Sequence, residues 1–164
     1  MKLTEILLKE MELEATTTRK MLAIVPAEKL DWKPHEKSMN MQTLATHVAE
    51  LLGMVKTVLT TNEFDFEKEP YNPTVIKNNA ELLACFEKNT QDCKESLKTA
   101  NDESLWLNWT MRSGESIFMT SSKYEAIRHM FCQVVHHRAQ LGVFLRLLNI
   151  PIPGSYGPSA DEMT

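Results

Sequence analysis

The stretch from Thr120 to Pro151 constrains the fold most, because it has the pattern of one long amphipathic helix. Hydroxyl side chains at residues 120–122 can cap the first turn, and Pro151 cannot continue a helix. At about 100° per residue, the apolar side chains fall on one stripe. These are Ile127, Met130, Val134, Leu141, Leu145 and Leu148. The stretch therefore predicts a helix that buries one face along its whole length.

Four polar residues interrupt the simple core pattern of this helix, namely His129, Gln133, His136 and His137. His137 projects closest to the middle of the apolar stripe, and Gln133 lies on its near edge. Residues four apart stand one turn above the other, so these two side chains can point at a common place. His137 needs a partner, because burying an unpaired polar group is costly. His129 and His136 lie further out and are expected at the rim or the surface.

Apolar periodicity predicts three more helices, over residues 3–25, 40–61 and 74–100, with Asn78-Asn79 as a candidate break in the third. Between the helix over residues 74–100 and the helix that starts at Thr120, the segment NDESLWLNWTMRSGESIFMT departs from helical periodicity. Ser113-Gly114 offers a turn in it. It predicts an irregular or extended crossover, or a short hairpin. The acidic, proline-broken segment NEFDFEKEPYNP is expected to be a loop, and the tail IPIPGSYGPSADEMT a coil. Together these elements predict a single all-α domain over residues 1–164, a four-helix bundle.

The composition excludes several classes of protein. The net charge is −4 and the basic residues are scattered, whereas a nucleic-acid binder needs a concentrated positive surface. Three cysteines without CxxC spacing indicate reduced thiols in a cytoplasmic protein. No apolar secretory core and no run long enough to span a bilayer is visible. We therefore expect a cytoplasmic protein that binds neither nucleic acid nor membrane.

His47, at the flank of the apolar stripe of the second predicted helix, gives the last helix a partner. Bundles build metal and cofactor sites from inward-pointing side chains on facing helices. Two imidazoles, His47 and His137, with the amide oxygen of Gln133 could hold a divalent ion and leave open positions for water or substrate. The same spacing also fits hydrogen-bonded histidines at the edge of the core. His35 lies in a charged loop and is expected in solvent.

Two charged residues have open alternatives. Glu14 projects into the centre of the apolar face of the first helix. It is expected either to reach the groove or to carry a pKa raised by desolvation, and it could then serve as a partner of a ligand or as a general base. The alternative is a helix rotated so that Glu14 reaches solvent. Arg138 is expected in a surface or interface salt bridge, or at the groove mouth holding a substrate carboxylate.

The segments TLATHVAEL and HHRAQLGVFLRLLNIPIPGSYGPSADE, with the DWKP connection, resemble the DinB/YfiT-like family of metalloenzymes over almost the whole chain. The resemblance implies an up-down-down-up four-helix bundle, commonly a homodimer. It also implies a divalent metal, nickel or zinc, held by three histidines, one on helix two and two, four apart, on helix four. Two of these positions correspond to His47 and His137. The remaining position is Gln133, which is not a histidine here.

The departure at Gln133 affects the function that the resemblance implies. An amide oxygen is a weaker, uncharged ligand, so the metal binds less tightly, a water or His129 completes the shell, or the site holds no metal. The implied activity is that of a thiol-dependent transferase or isomerase using a low-molecular-weight thiol, or of a hydrolase, on a small-molecule substrate. The alternative is a non-catalytic bundle that dimerises or binds a small ligand and keeps a degenerate metal site.

Overall fold

The computed structural model describes residues 2–163, so Met1 and Thr164, the ends of the predicted domain, lie outside the described residues. Within this range the chain forms five α-helices and three β-strands. They are α1 (Leu3–Ala23), α2 (Met41–Glu50), α3 (Met54–Thr60), β1 (Glu63–Asp65), α4 (Asn79–Thr99), β2 (Asn108–Ser113), β3 (Ser116–Ser122) and α5 (Lys123–Leu147). A 3₁₀ turn at Leu51–Gly53 joins α2 to α3 and keeps helical dihedral angles, so the two form one arm. The predicted four-helix bundle is confirmed, with a small sheet added to it.

The core lies between the four arms of the bundle. Helix α1 and the α2–α3 arm each pack against both α4 and α5. The apolar stripe predicted for the last helix is buried from Ile127 to Leu145, and Leu148 is half-buried. Because one face of α5 turns toward the α2–α3 arm, residues at the flank of both stripes can meet between the two elements.

Local capping sets the ends of α5. The Ser122 hydroxyl accepts from Glu125 N at 3.2 Å, and the Glu125 carboxylate accepts from Ser122 N at 2.9 Å, which makes a reciprocal capping box. At the other end Asn149 adopts a left-handed backbone conformation, with φ of 58°. Ile150 N then donates to Leu145 O at 3.0 Å, as is common where helices terminate. The helix is therefore shorter than the stretch from Thr120 to Pro151 at both ends.

The start of the third predicted helix at residue 74 is wrong. Helix α4 begins at Asn79, because the Asn78 side chain accepts from Glu81 N at 2.9 Å and caps the first turn. The preceding residues, 66–78, run without helix or strand across one side of the bundle. We call residues 66–78 the cover segment.

A three-stranded sheet stands where a loop and a crossover were expected. Strands β2 and β3 pair antiparallel around the turn at Gly114, whose φ is 54°, so the hairpin alternative is confirmed. Strand β1 pairs in parallel with β2, with Phe64 opposite Met111. The prediction of a loop is therefore wrong for Glu63–Asp65. Across residues 2–163 no helix combines the length and the apolar character that crossing a bilayer requires.

Candidate functional site

The imidazole rings of His47 and His137 lie beside each other, with 4.6 Å between their centroids and 77° between their planes. His47 is on α2 and His137 on α5, and both are half-buried. Both line a cavity of about 940 Å³ between the α2–α3 arm, α4 and α5. The two histidines singled out in the sequence thus meet in a groove between the second and last arms of the bundle.

Both imidazoles are held in the neutral form that can act as a ligand. Burial lowers the pKa of His47, and the neighbouring His137 lowers it further. Burial is also the main cause that lowers the pKa of His137. His137 Nδ1 lies 2.8 Å from Gln140 Oε1, which can only accept, so Nδ1 carries the proton and Nε2 keeps its lone pair. Gln140 was not predicted as a site residue, although its place three residues after His137 on the helix was a usable signal.

Gln133 lies one turn before His137 and also lines the cavity. Its Nε2 is 3.2 Å from His129 Nε2, and because an amide nitrogen only donates, the imidazole nitrogen accepts. Gln133 Oε1 takes no part in that contact. His129 and His136 are exposed, as expected, and the ring of His136 lies 4.8 Å from that of His137 on the outer side.

The predicted donor set is two imidazoles, His47 and His137, and the amide of Gln133, and His129 lines the same cavity. In the described part of the chain, no group of three His, Cys, Asp or Glu side chains is placed to hold a metal ion. Two neutral imidazoles fit a divalent ion of borderline softness, and the hydrogen bond to Gln140 leaves the lone pair on Nε2 of His137 free to bind it. The amide of Gln133 makes this set weaker than three imidazoles, because an uncharged oxygen binds such ions less well.

The cavity is closed on one side by the cover segment, which is tied to α2 by the Glu50 carboxylate and by Gln42 Nε2, which donates to Ile76 O at 2.7 Å. Glu50 Oε2 accepts from the Tyr71 hydroxyl at 2.6 Å, and Glu50 Oε1 accepts from Thr74 N at 2.9 Å and Thr74 Oγ1 at 2.6 Å. Burial and the Glu50 carboxylate raise the pKa of Tyr71, so its hydroxyl remains a donor. The Tyr71 ring lies 6.3 Å from that of His47. These residues were missed because Tyr71 was predicted in a plain loop and Thr74 at the start of the third helix.

Glu14 and Arg138 form a buried cluster with the C-terminal tail. The Arg138 side chain is 2% exposed, and its Nη1 lies 2.7 Å from Glu14 Oε2 without hydrogen-bond geometry. Arg138 also donates to Glu14 O, Thr18 Oγ1 and Ser155 Oγ, and the Tyr156 hydroxyl donates to Glu14 Oε1 at 2.6 Å. Arg138 forms a salt bridge, as one alternative predicts, but inside the bundle and not at the surface, and it does not line the cavity of His47 and His137.

Glu14 reaches neither the groove nor solvent, so both of those placements are wrong. Its residue exposure is only 9%, and it is not among the residues that line the cavity of His47 and His137. The apolar face of α1 tolerates the carboxylate because Arg138 supplies a counter-charge inside the bundle. Glu14 is therefore part of the framework and takes no direct part in the groove.

Comparisons with known proteins agree with this fold. The chain is 26% identical over 161 residues to the uncharacterized protein YrdA of Bacillus subtilis, covering 94% of this chain and 89% of that protein. Solved structures with a similar fold include the DinB-like protein YjoA of Bacillus subtilis, at 14% identity and a TM-score of 0.72, covering 91% of this chain and 96% of that one. A DinB-like protein from Bacillus cereus is similar at 19% identity and a TM-score of 0.72, covering 93% and 97%.

These two structural likenesses concern the fold alone. The family model described as DinB family matches residues 1–164. This match covers the α2 helix that carries His47, the α5 helix that carries Gln133 and His137, and the tail that packs on Arg138. The chain therefore belongs to the DinB family.

Proposed function

We propose that the protein binds one divalent metal ion, nickel or zinc, through His47, Gln133 and His137 and acts as a metal-dependent enzyme on a small molecule. The observation that carries the proposal is the pair of neighbouring imidazoles, one from each of two helices, facing a shared cavity. Two further observations support it: both rings have lowered pKa values, and Gln140 fixes the tautomer of His137. The family resemblance supports the same ligand positions.

A divalent ion bound here would supply Lewis acidity, which lowers the pKa of a thiol or a water molecule. His47 and His137 would hold the ion, and Gln140 orients the ring of His137. The cover segment limits the entry of water. A cavity of about 940 Å³ has room for a substrate beside a low-molecular-weight thiol. We therefore propose thiol-dependent transfer or isomerisation, or hydrolysis, as the reaction class.

Metal binding is tested on untagged protein by elemental analysis and by calorimetric titration with zinc and nickel. The variants are His47→Ala and His137→Ala, and the matched control is His136→Ala, which removes an exposed imidazole next to the site. We expect both site variants to lose at least about tenfold in affinity, because each removes a ligand, and the control to bind like the wild type. Equal uptake by all four proteins would mean that the ion binds elsewhere.

A second candidate function, a non-catalytic bundle with a degenerate site, is favoured by Gln133. The three positions that the resemblance implies carry two imidazoles here, and within residues 2–163 no three His, Cys, Asp or Glu side chains are placed to hold a metal ion. The substitution Gln133→His supplies the third, and we expect it to raise zinc affinity by at least about tenfold if the three positions share one ion. Wild-type protein that takes up no metal while Gln133→His does would favour the degenerate site.

The family resemblance also supports a homodimer. Several large apolar side chains are exposed on the described chain, among them Val143 and Leu147 on α5. Light scattering coupled to size-exclusion chromatography distinguishes a dimer from a monomer of 18.8 kDa. A single peak at the monomer mass over a wide concentration range would contradict the dimer.

A further inference from the structure

Two phenylalanines form an aromatic wall in the cavity. Phe64 lies in β1, and Phe66 is the first residue of the cover segment that follows the strand. Their rings stand 4.9 Å apart in an edge-to-face arrangement, and both line the cavity. Phe66 N donates to Arg112 O at 2.9 Å, which continues the strand pairing one residue beyond Asp65.

The residue between the two rings fixes their direction. Asp65 is 5% exposed and points to the opposite side, where its Oδ1 accepts from Glu67 N at 3.0 Å and from Gly114 N at 2.9 Å. Its Oδ2 also lies 3.8 Å from Arg112 Nε and 3.5 Å from Lys68 Nζ. A strand held this way cannot turn its rings outward without breaking these contacts. Both rings are nevertheless only half-buried, so the wall keeps apolar surface that no part of the described chain covers.

The carboxylates that line the cavity all have partners. Glu50 and Glu81 accept hydrogen bonds from neutral donors of the cover segment, and Asp92 pairs with Lys56. Lys88 on α4 also lines the cavity, and it makes no ion pair with any residue of the described range. Burial raises the pKa of the Cys85 thiol, one turn earlier in the same cavity, and the charge of Lys88 offsets part of that rise. An anionic ligand group would find an unpaired cation at this place.

We propose that the cavity takes a small molecule with an aromatic body and one carboxylate, the ring against Phe64 and Phe66 and the carboxylate at Lys88. Aromatic rings pack edge-to-face on one another, and burying a ring removes a large apolar area from water. The carboxylate adds selectivity, because an opposite charge is favoured at Lys88 and a like charge is repelled. That such a molecule is the substrate rests on the proposed function, because the reaction needs the metal centre. Binding of the molecule does not need the metal.

The test is calorimetric titration of metal-free wild-type protein with three probes of one shape: 4-phenylbutyrate, 4-phenylbutanol and 4-phenylbutylamine. We expect the acid to bind tightest and the amine at least about tenfold more weakly than the acid. The substitution Phe66→Ala should weaken the acid and the alcohol alike by about tenfold. The substitution Lys88→Met should weaken only the acid, by about threefold, because the ammonium is exposed.

Two control variants accompany these. Lys98→Met removes an exposed ammonium from the same helix outside the cavity, and Trp106→Ala removes an exposed aromatic ring outside it. Neither should change binding of the acid by more than about twofold. Because Phe66→Ala can disturb the sheet, Phe66→Leu is measured beside it; it should keep binding of the acid above that of Phe66→Ala.

Equal binding of acid, alcohol and amine by the wild type would overturn the proposal, and so would binding that neither Phe66→Ala nor Lys88→Met alters. Metal uptake is measured separately on the same preparations. Probe binding without metal uptake contradicts the metal centre and leaves the ligand class intact. Metal uptake with no selectivity among the probes contradicts the ligand class and leaves the metal centre intact.

Discussion

Replacing Arg138 by Met should cost most of the stability that the buried cluster provides. The guanidinium is enclosed by α1, α5 and the tail, where it donates to Glu14 O at 3.2 Å, Thr18 Oγ1 at 3.0 Å and Ser155 Oγ at 3.1 Å. Methionine fills part of the volume and removes every donor. The Glu14 carboxylate then loses its counter-charge and keeps only the Tyr156 hydroxyl.

The magnitude follows from these contacts. Three hydrogen bonds are lost at about 1 kcal/mol each. A carboxylate left buried without its cation brings the expected loss in the free energy of unfolding to about 3–5 kcal/mol. The assay is urea denaturation followed by circular dichroism, with the slope of the transition checked for two-state behaviour.

Two further variants separate the ion pair from simple loss of packing. In Glu14→Leu/Arg138→Met no charge remains, and Thr18 Oγ1 still has Glu14 O as its acceptor at 2.7 Å. We therefore expect the double variant to recover at least about 2 kcal/mol relative to Arg138→Met. Arg19→Met breaks an ion pair whose side chains are 42% and 48% exposed, and it should cost less than about 1 kcal/mol. If Arg138→Met costs no more than Arg19→Met, or if the double variant recovers nothing, the enclosed ion pair is refuted.

Two other predictions concern the cavity and the thiols. Glu50→Ala removes three of the hydrogen bonds that hold residues 66–78 to α2 and leaves the one that Gln42 Nε2 donates to Ile76 O. Amide exchange at residues 71–74 should therefore accelerate by at least about tenfold, and unchanged exchange there would contradict the tie. With a thiol-specific reagent at neutral pH, exposed Cys132 should react first and half-buried Cys85 later. Burial raises the pKa of Cys93 to about 12, so it should react only on unfolding, even at about pH 9; early labelling of Cys93 would disprove its enclosure.

The parts of the fold that could be predicted are those coded by local pattern. In α5 the apolar period, the hydroxyl cap and the downstream proline all lie within one stretch, and its observed range, Lys123–Leu147, falls inside the predicted one. The positions of His47 and His137 followed from the flank of an apolar stripe together with the family resemblance. No long-range information was needed for either.

The parts that could not be predicted depend on partners distant in the chain. Periodicity placed Glu14 correctly on an apolar face, but its partner Arg138 is 124 residues away and no local signal links them. Strand β1 is only three residues long and exists because β2 pairs with it in parallel. The role of Glu50 depends on a segment with no repeating structure, whose course over α2 is set by tertiary contacts.

The buried guanidinium has a consequence for the groove on the other side of the same helix. Consecutive residues of an α-helix point about 100° apart, so the direction of Arg138 fixes that of His137. Arg138 is attached to Thr18 of α1 and to Ser155 of the tail, which sets the rotation of α5 about its own axis. The C-terminal tail contributes no described side chain to the cavity, yet it helps to aim the imidazole of His137 at that of His47.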